Sequence, residues 1–255
     1  NTEVLVVFIF SELTKNVLEK LPNLKFIATM STGYDHIDLD YCREKGIIVS
    51  NVPFYGENTV AEHAFALMIS LSRRVHLAYD RIRRGQFSLD GVRGFDLKGK
   101  TLGIVGGGHI GMHMARFAKG FGMNVLVYDI CKNRELQESI GFKYSRLDSL
   151  LRKSDIVSLH VPYNKYTHHL INNEKLSLMK KGSILINTAR GAIVDMRALY
   201  TFAKKGWINP GIDVYEDENL VLGKELITLN TPKNNRELVE IERKLIDLPN
   251  TLATP

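Results

Sequence analysis

Short apolar runs alternate with segments of helical periodicity along most of this chain. The runs fall at residues 4–10, 26–29, 47–49, 102–105, 125–128, 156–159, 184–186 and 211–214. Several are apolar at successive positions, which a strand tolerates only when both faces of its sheet are covered. Between them, Lys45-Gly46, Lys181-Gly182 and Lys205-Gly206 each put a cation in a last helical turn and a glycine at the cap. This alternation predicts an α/β fold, a doubly wound parallel sheet with helices on both faces. With 255 residues, 44% of them hydrophobic and 24% charged, the chain has material for a sizeable core and is not of disordered composition.

One stretch departs from the rhythm. Residues 58–85 read as a single long helix with Val60, Ala64, Leu67, Met68, Leu71 and Val75 along one face. A crossover needs less, so the helix is expected to link two domains or to pair two subunits, and the stripe from Val60 to Leu71 is the expected homodimer face. Asn51 and Pro53 interrupt regular structure and set a domain boundary near Pro53, giving segments 1–53 and 54–255. Residues 219–235 read as a polar, irregular surface insertion.

Composition excludes some classes. No unbroken apolar run, neither residues 4–10 nor residues 64–69, is long enough to span a bilayer, and no signal peptide is visible. Cys42 and Cys131 have no metal or redox spacing and fit a reducing compartment such as the cytoplasm. The net charge of +6 is spread along the chain, densest at Arg73, Arg74, Arg81, Arg83 and Arg84, and reads as a solvated surface biased toward anionic ligands. No nucleic-acid-binding motif accompanies it. The chain opens at Asn1 with a strand-like run almost at once and stops at Pro255, so both ends read as cut.

The strongest local signal is Gly106, Gly108 and Gly111 in G-x-G-x-x-G spacing, after a strand and before a helix over residues 112–121. Gly106 permits the tight turn, Gly108 lets backbone N–H groups approach a pyrophosphate, and Gly111 lets helix and strand pack closely. The phosphates then sit at the positive helix end. The next strand ends in Asp129, placed to accept bonds from ribose hydroxyls and to repel a 2′-phosphate; with Ile130 and Cys131 following rather than arginine, NAD is favoured over NADP. The sheet is thus of the Rossmann type.

Further polar residues fall where strands end, the place where open α/β sheets bind ligands: Ser31, Thr32 and Gly33; His160, Val161 and Pro162; Asn187, Thr188, Ala189 and Arg190; and Asp213 through Glu218. Arg190 is either a paired structural cation or an anion clamp, its planar fork suiting a carboxylate bidentately.

These segments resemble the D-2-hydroxyacid dehydrogenase family, which includes D-lactate and D-phosphoglycerate dehydrogenases, from Ala28 to Pro255. The resemblance implies hydride transfer between NAD and C2 of a small 2-oxo acid. It assigns Arg190 to the substrate carboxylate and keto oxygen, Glu218 to pairing with a catalytic histidine, and Asp213 to the nicotinamide carboxamide. His109, Ile110, Val161, Pro162, Thr167, Thr188 and Ala189 match cofactor contacts. Thr32 and Gly33 match the backbone that holds the substrate carboxylate, and Tyr55, in a D-lactate-like Asn51-Val-Pro-Phe-Tyr stretch, lines the substrate pocket. It also implies an incomplete flavodoxin-like substrate domain at the start and a homodimer.

In the family a Thr-Pro like Thr254-Pro255 is followed directly by the proton-donating histidine, so these 255 residues are expected to bind NAD and to be impaired in turnover. Of the histidines present, His36 is the candidate substitute, while His63 and His76 read as packing or surface residues of the long helix. The alternative reading is an NAD-sensing, corepressor-like scaffold of the same fold, favoured by an apolar groove with a bound peptide.

Overall fold

In the computed structural model, residues 1–216, 218–221 and 232–255 are described. They form two compact units, Asn1–Glu57 and Asn58–Pro255, so the division falls a few residues beyond Pro53.

The first unit runs β1 (Val4–Val7), α1 (Lys15–Leu18), β2 (Phe26–Thr29), α2 (Leu39–Lys45) and β3 (Ile48–Ser50). The strands form a parallel sheet in the order β1-β2-β3. Asp38 starts α2 by accepting from the Tyr41 N–H at 2.9 Å, and Gly46 ends it at φ 68°. Leu18, Ile27, Ile37 and Cys42 lie in its core.

The second unit opens with α3 (Glu57–Arg73) and α4 (Val75–Arg83). It continues through β4 (Thr101–Val105), α5 (His109–Gly120), β5 (Asn124–Tyr128), α6 (Arg134–Ile140), β6 (Lys143–Tyr144), α7 (Leu147–Lys153), β7 (Ile156–Leu159), α8 (Asn173–Leu178) and β8 (Ser183–Asn187). A 3-10 turn (Gly191–Ile193), α9 (Met196–Lys204), β9 (Ile208–Ile212), α10 (Glu218–Val221), α11 (Lys233–Ile246) and β10 (Leu252–Ala253) complete it. Seven strands make one sheet in the order β10-β9-β8-β7-β4-β5-β6, every neighbouring pair parallel. The chain winds outward from β4 to β6, returns to β7 beside β4, and winds the other way to β10. The order reverses between β4 and β7, the point where such sheets open a ligand crevice.

Strand residues alternate between two cores, as the two-residue period requires. Ile156, Ile184 and Ile186 face the helices α3 and α5, and Val157 and Leu185 face α7 and α9. All of β7 and β8 is buried.

Two expectations about the long helix are overturned. It is two helices: Arg74 adopts φ 53°, a left-handed conformation that stops α3. The Ser72 carbonyl, one of the last of α3, accepts instead from the Phe95 N–H at 2.9 Å. The returning segment is held there by Arg73 to Asp96 at 2.7 Å and Arg74 to the Gly91 carbonyl at 2.6 Å. The stripe expected to pair two subunits is also spent inside this chain: Ala64, Leu67, Met68 and Leu71 are all buried in the core under α3. The apolar residues left outside are Val75, Tyr79 and Ile82 of α4. Of the stretch 219–235 expected to be irregular, residues 222–231 lie outside the described residues, and the flanks on either side of them belong to α10 and α11.

Candidate active site

The glycine turn after β4 is shaped by contacts that leave no room for side chains. Gly106 sits at φ 102°, and a Cβ there would come within 2.5 Å of the His160 carbonyl; one on Gly111 would come within 2.1 Å of the Gly106 carbonyl oxygen. Gly108 differs, with nothing within 4 Å of its absent Cβ. It precedes α5, which starts at His109 and Ile110, and has no side chain to cap the helix, so the first-turn N–H groups are exposed to an anion approaching over open space. Asp129, at the tip of β5, lies against this turn. Its Oδ2 accepts from the Gly107 N–H at 2.6 Å and its Oδ1 from the Cys131 N–H at 2.7 Å. The carboxylate is thus held in place by backbone alone.

Across the switch point, β7 delivers His160, Val161 and Pro162. Desolvation pulls the His160 imidazole down to about 4, and its Nε2 lies 2.8 Å from the Ser158 hydroxyl. It is therefore neutral near pH 7. The Thr167 hydroxyl donates to the Pro162 carbonyl at 2.7 Å and accepts from the Asn164 N–H at 2.8 Å, which folds the loop after β7 onto itself.

From β8 come Thr188, Ala189 and Arg190. The buried Asn187 side chain accepts from the Ala189 N–H at 3.1 Å and donates to the Arg190 carbonyl at 2.9 Å, holding the turn from beneath. Arg190 Nη1 donates to the Ala189 carbonyl at 2.8 Å. At Gly191 a Cβ would lie 2.0 Å from the Tyr215 carbonyl carbon. Only glycine lets the arginine turn rest directly on the segment after β9.

That segment carries Asp213, whose Oδ1 meets His63 Nε2 at 3.0 Å and the Thr254 hydroxyl at 2.5 Å. Tyr215 donates to the Thr254 carbonyl at 3.0 Å, and burial pushes its hydroxyl up to about 12, so it remains a donor. The Glu216 N–H is held at 2.8 Å by Glu242, a fully buried carboxylate of α11, and the Glu216 carboxylate meets His169 Nε2 at 3.0 Å. Glu218 opens α10; Asp217 lies outside the described residues.

In the first unit, Thr32 and Gly33 sit in a loop tied by side chains. Asn51 donates to the Thr32 carbonyl at 2.9 Å, the Thr32 hydroxyl to the Val52 carbonyl at 3.0 Å, and the Ser31 hydroxyl to the Gly33 carbonyl at 2.7 Å. His36 is engaged there, its Nε2 3.2 Å from the Thr29 hydroxyl. Tyr55 is exposed.

The second unit therefore gathers Gly106, Gly108, His109, Ile110, Gly111, Asp129, Val161, Pro162, Thr188, Ala189, Arg190 and Asp213 at the ends of strands of one sheet. Sequence reasoning placed Asn187 at a strand end without its role as the support of the turn, and missed Glu242 and, above all, His63. No motif announces Glu242. His63 was legible as a polar residue in an otherwise apolar helix face, but its partners are remote in sequence.

The residues fit a dinucleotide. There is a cradle that a Cβ on Gly108 would begin to fill, a carboxylate fixed beside it, and a buried Thr188 hydroxyl with no hydrogen-bond partner. Fold and site together define an NAD-binding domain of the doubly wound dehydrogenase kind. The chain belongs to the D-isomer specific 2-hydroxyacid dehydrogenases, matching the NAD-binding domain of that family over residues 65–255. A glyoxylate reductase of Thermococcus litoralis is 43% identical over 224 residues, 85% of this chain and 68% of that protein. The D-lactate dehydrogenase of Escherichia coli is 40% identical over 219 residues, 85% of this chain and 66% of that protein. Among solved structures, the Aquifex aeolicus D-lactate dehydrogenase complexed with NAD and lactic acid superposes with a TM-score of 0.91 at 43% identity, covering all of this chain and 76% of that one. NAD is the cofactor of this domain. Among the described residues no helix is long and apolar enough to cross a membrane.

Proposed function

We propose that this chain provides the cofactor-binding part of an oxidoreductase that interconverts a small 2-oxo acid and its D-2-hydroxy acid. One observation carries the reading. Asp129 is held 2.6 Å from the glycine turn, and on the same sheet the Arg190 turn is seated on Tyr215 by Gly191. NAD, when bound, supplies or accepts the hydride. Asp129 takes the ribose hydroxyls, the start of α5 takes the pyrophosphate, and Asp213 orients the carboxamide. Arg190 grips the substrate carboxylate and polarises the keto oxygen. Thr32, Gly33 and Tyr55 are assigned to substrate on the family resemblance alone.

Reduction of the keto group needs a proton at the substrate oxygen. Glu218 is assigned to charging and orienting a histidine that the family carries after its Thr-Pro, a residue absent from these 255. A positioned acid contributes on the order of 10²–10⁴-fold, so this stretch alone turns over 2-oxo acids poorly. A chain extended through that histidine and completed at its start should reduce pyruvate or glyoxylate with NADH, and Arg190→Gln should remove most of that activity. Ordinary turnover by the 255 residues alone would refute the assignment of roles.

Free thiols at Cys42 and Cys131 suit a reducing compartment such as the cytoplasm. The exposed Val75, Tyr79 and Ile82 lie at helical i, i+4, i+7 spacing on α4 and support a homodimer built on that face rather than on α3. Tyr79→Glu should shift the mass seen by light scattering toward the monomer.

A further inference from the structure

His63, like His76, reads in the sequence as a packing or surface residue of the long helix. His63 projects from α3 onto the ends of β9 and β10, where Nε2 lies 3.0 Å from Asp213 Oδ1 and 3.1 Å from Thr254 Oγ1. The Thr254 hydroxyl itself donates to the same Oδ1 at 2.5 Å. A carboxylate can only accept, and the threonine proton is already committed to it, so the hydrogen must sit on Nε2, forked between the two oxygens. Thr254 cannot drift: its N–H donates to the Ile212 carbonyl at 2.9 Å, and its own carbonyl accepts from Tyr215 at 3.0 Å.

Both side-chain contacts fall on Oδ1. The Asp213 carboxylate is therefore held from α3 and from the residue after β10, and among the described residues no hydrogen bond falls on Oδ2. The side chain is 28% exposed, so a ligand can reach it. Without the imidazole the carboxylate would keep one hydroxyl contact, about which it can swing.

We propose that His63 is a positioning residue for the nicotinamide end of the cofactor: it aims Asp213 Oδ2 at the carboxamide and touches neither cofactor nor substrate itself. This rests on the assignment of Asp213 to the nicotinamide made above.

Calorimetric titration with NAD and with ADP-ribose, which lacks the nicotinamide ring, separates the possibilities. His63→Ala should bind ADP-ribose as the unmodified chain does and NAD about tenfold more weakly, the equivalent of one hydrogen bond to a charged group. His63→Gln, whose amide N–H reaches where Nε2 did, should restore NAD binding. Should His63→Ala fail to fold, His63→Asn, whose shorter amide stops before Asp213, should give the same split between the two ligands. Equal weakening of both ligands means a merely structural histidine and overturns the proposal, as does NAD affinity unchanged in every variant. If the unmodified chain binds neither ligand, the underlying cofactor reading fails rather than the role of His63 within it.

Discussion

The two halves of the sheet's working edge are held by different means. At β4 and β5 the geometry is made by backbone: three glycines close together in sequence, and one aspartate that takes two main-chain N–H groups. At β8, β9 and β10 it is made by side chains, one local and the rest from far along the chain. Asn187 holds the arginine turn, Glu242 holds Glu216, and His63 and Thr254 hold Asp213. The first kind of construction fails when an atom is added, and the second when a partner is removed. Gly191 is the exception that joins them, a backbone-only contact inside the half built from side chains.

That exception gives the harshest test. Gly191→Ala would drive a methyl into the Tyr215 backbone, where nothing flexible can yield, and should cost about 3 kcal/mol or more in chemical denaturation. A melt within about 0.5 kcal/mol of the parent would break the contrast, since changes free of such clashes normally fall in that range.

His160, on the seam between the halves, has a pKa lowered in the folded chain to about 4 from 6.5. A depressed folded value means that protonation favours the unfolded state. Its contribution is fully present above pH 6.5 and is lost as pH falls through 4, about 3 kcal/mol at most. Denaturation curves between pH 7 and 4.5 should show this loss, and His160→Gln should flatten the dependence. An equal slope in both proteins would remove His160 as its source.

Gly108→Ala sharpens the comparison from the other side. Nothing surrounds that Cβ, so stability should hold, while NAD affinity should fall roughly 30-fold, about 2 kcal/mol, because the methyl occupies the approach of the pyrophosphate. A lowered melting point with unchanged NAD affinity would invert the assignment. The smallest effect is expected at Asp129→Ala, which should narrow the preference for NAD over NADP by about tenfold, read by fluorescence titration with both reduced cofactors.

What could be read from the sequence follows the same division. The glycine turn and Asp129 were visible because they recur at fixed places, Gly106, Gly108 and Gly111 within six positions after one apolar strand and an acid at the end of the next. The buried strands β7 and β8 were visible because their apolar residues fall at successive positions, Ile156-Val157 and Ile184-Leu185-Ile186. The strands β6 and β10, two residues each, carry no period to detect. Arg74 gave no sign of ending a helix, because the donor that captures the Ser72 carbonyl is Phe95, on the far side of α4. The stripe on α3 was correctly apolar and wrongly assigned outward; amphipathicity says that a face is covered, not by what. His63 pairs with Asp213 across 150 positions and with Thr254 across 191, and no spacing rule reaches that far.

The contact at Gly191 leaves no slack between the arginine turn and the segment bearing Asp213 and Glu218. A pull on the guanidinium is transmitted directly to Tyr215, as through a lever with a fixed fulcrum, without relay through intermediate side chains. On the proposed roles, an anion that strained the Arg190 turn would change how Asp213 is presented, and occupancy at Asp213 would change the grip of Arg190 by the same factor, since linkage between two binding events is reciprocal. The two groups would then act thermodynamically as one receptor with two handles.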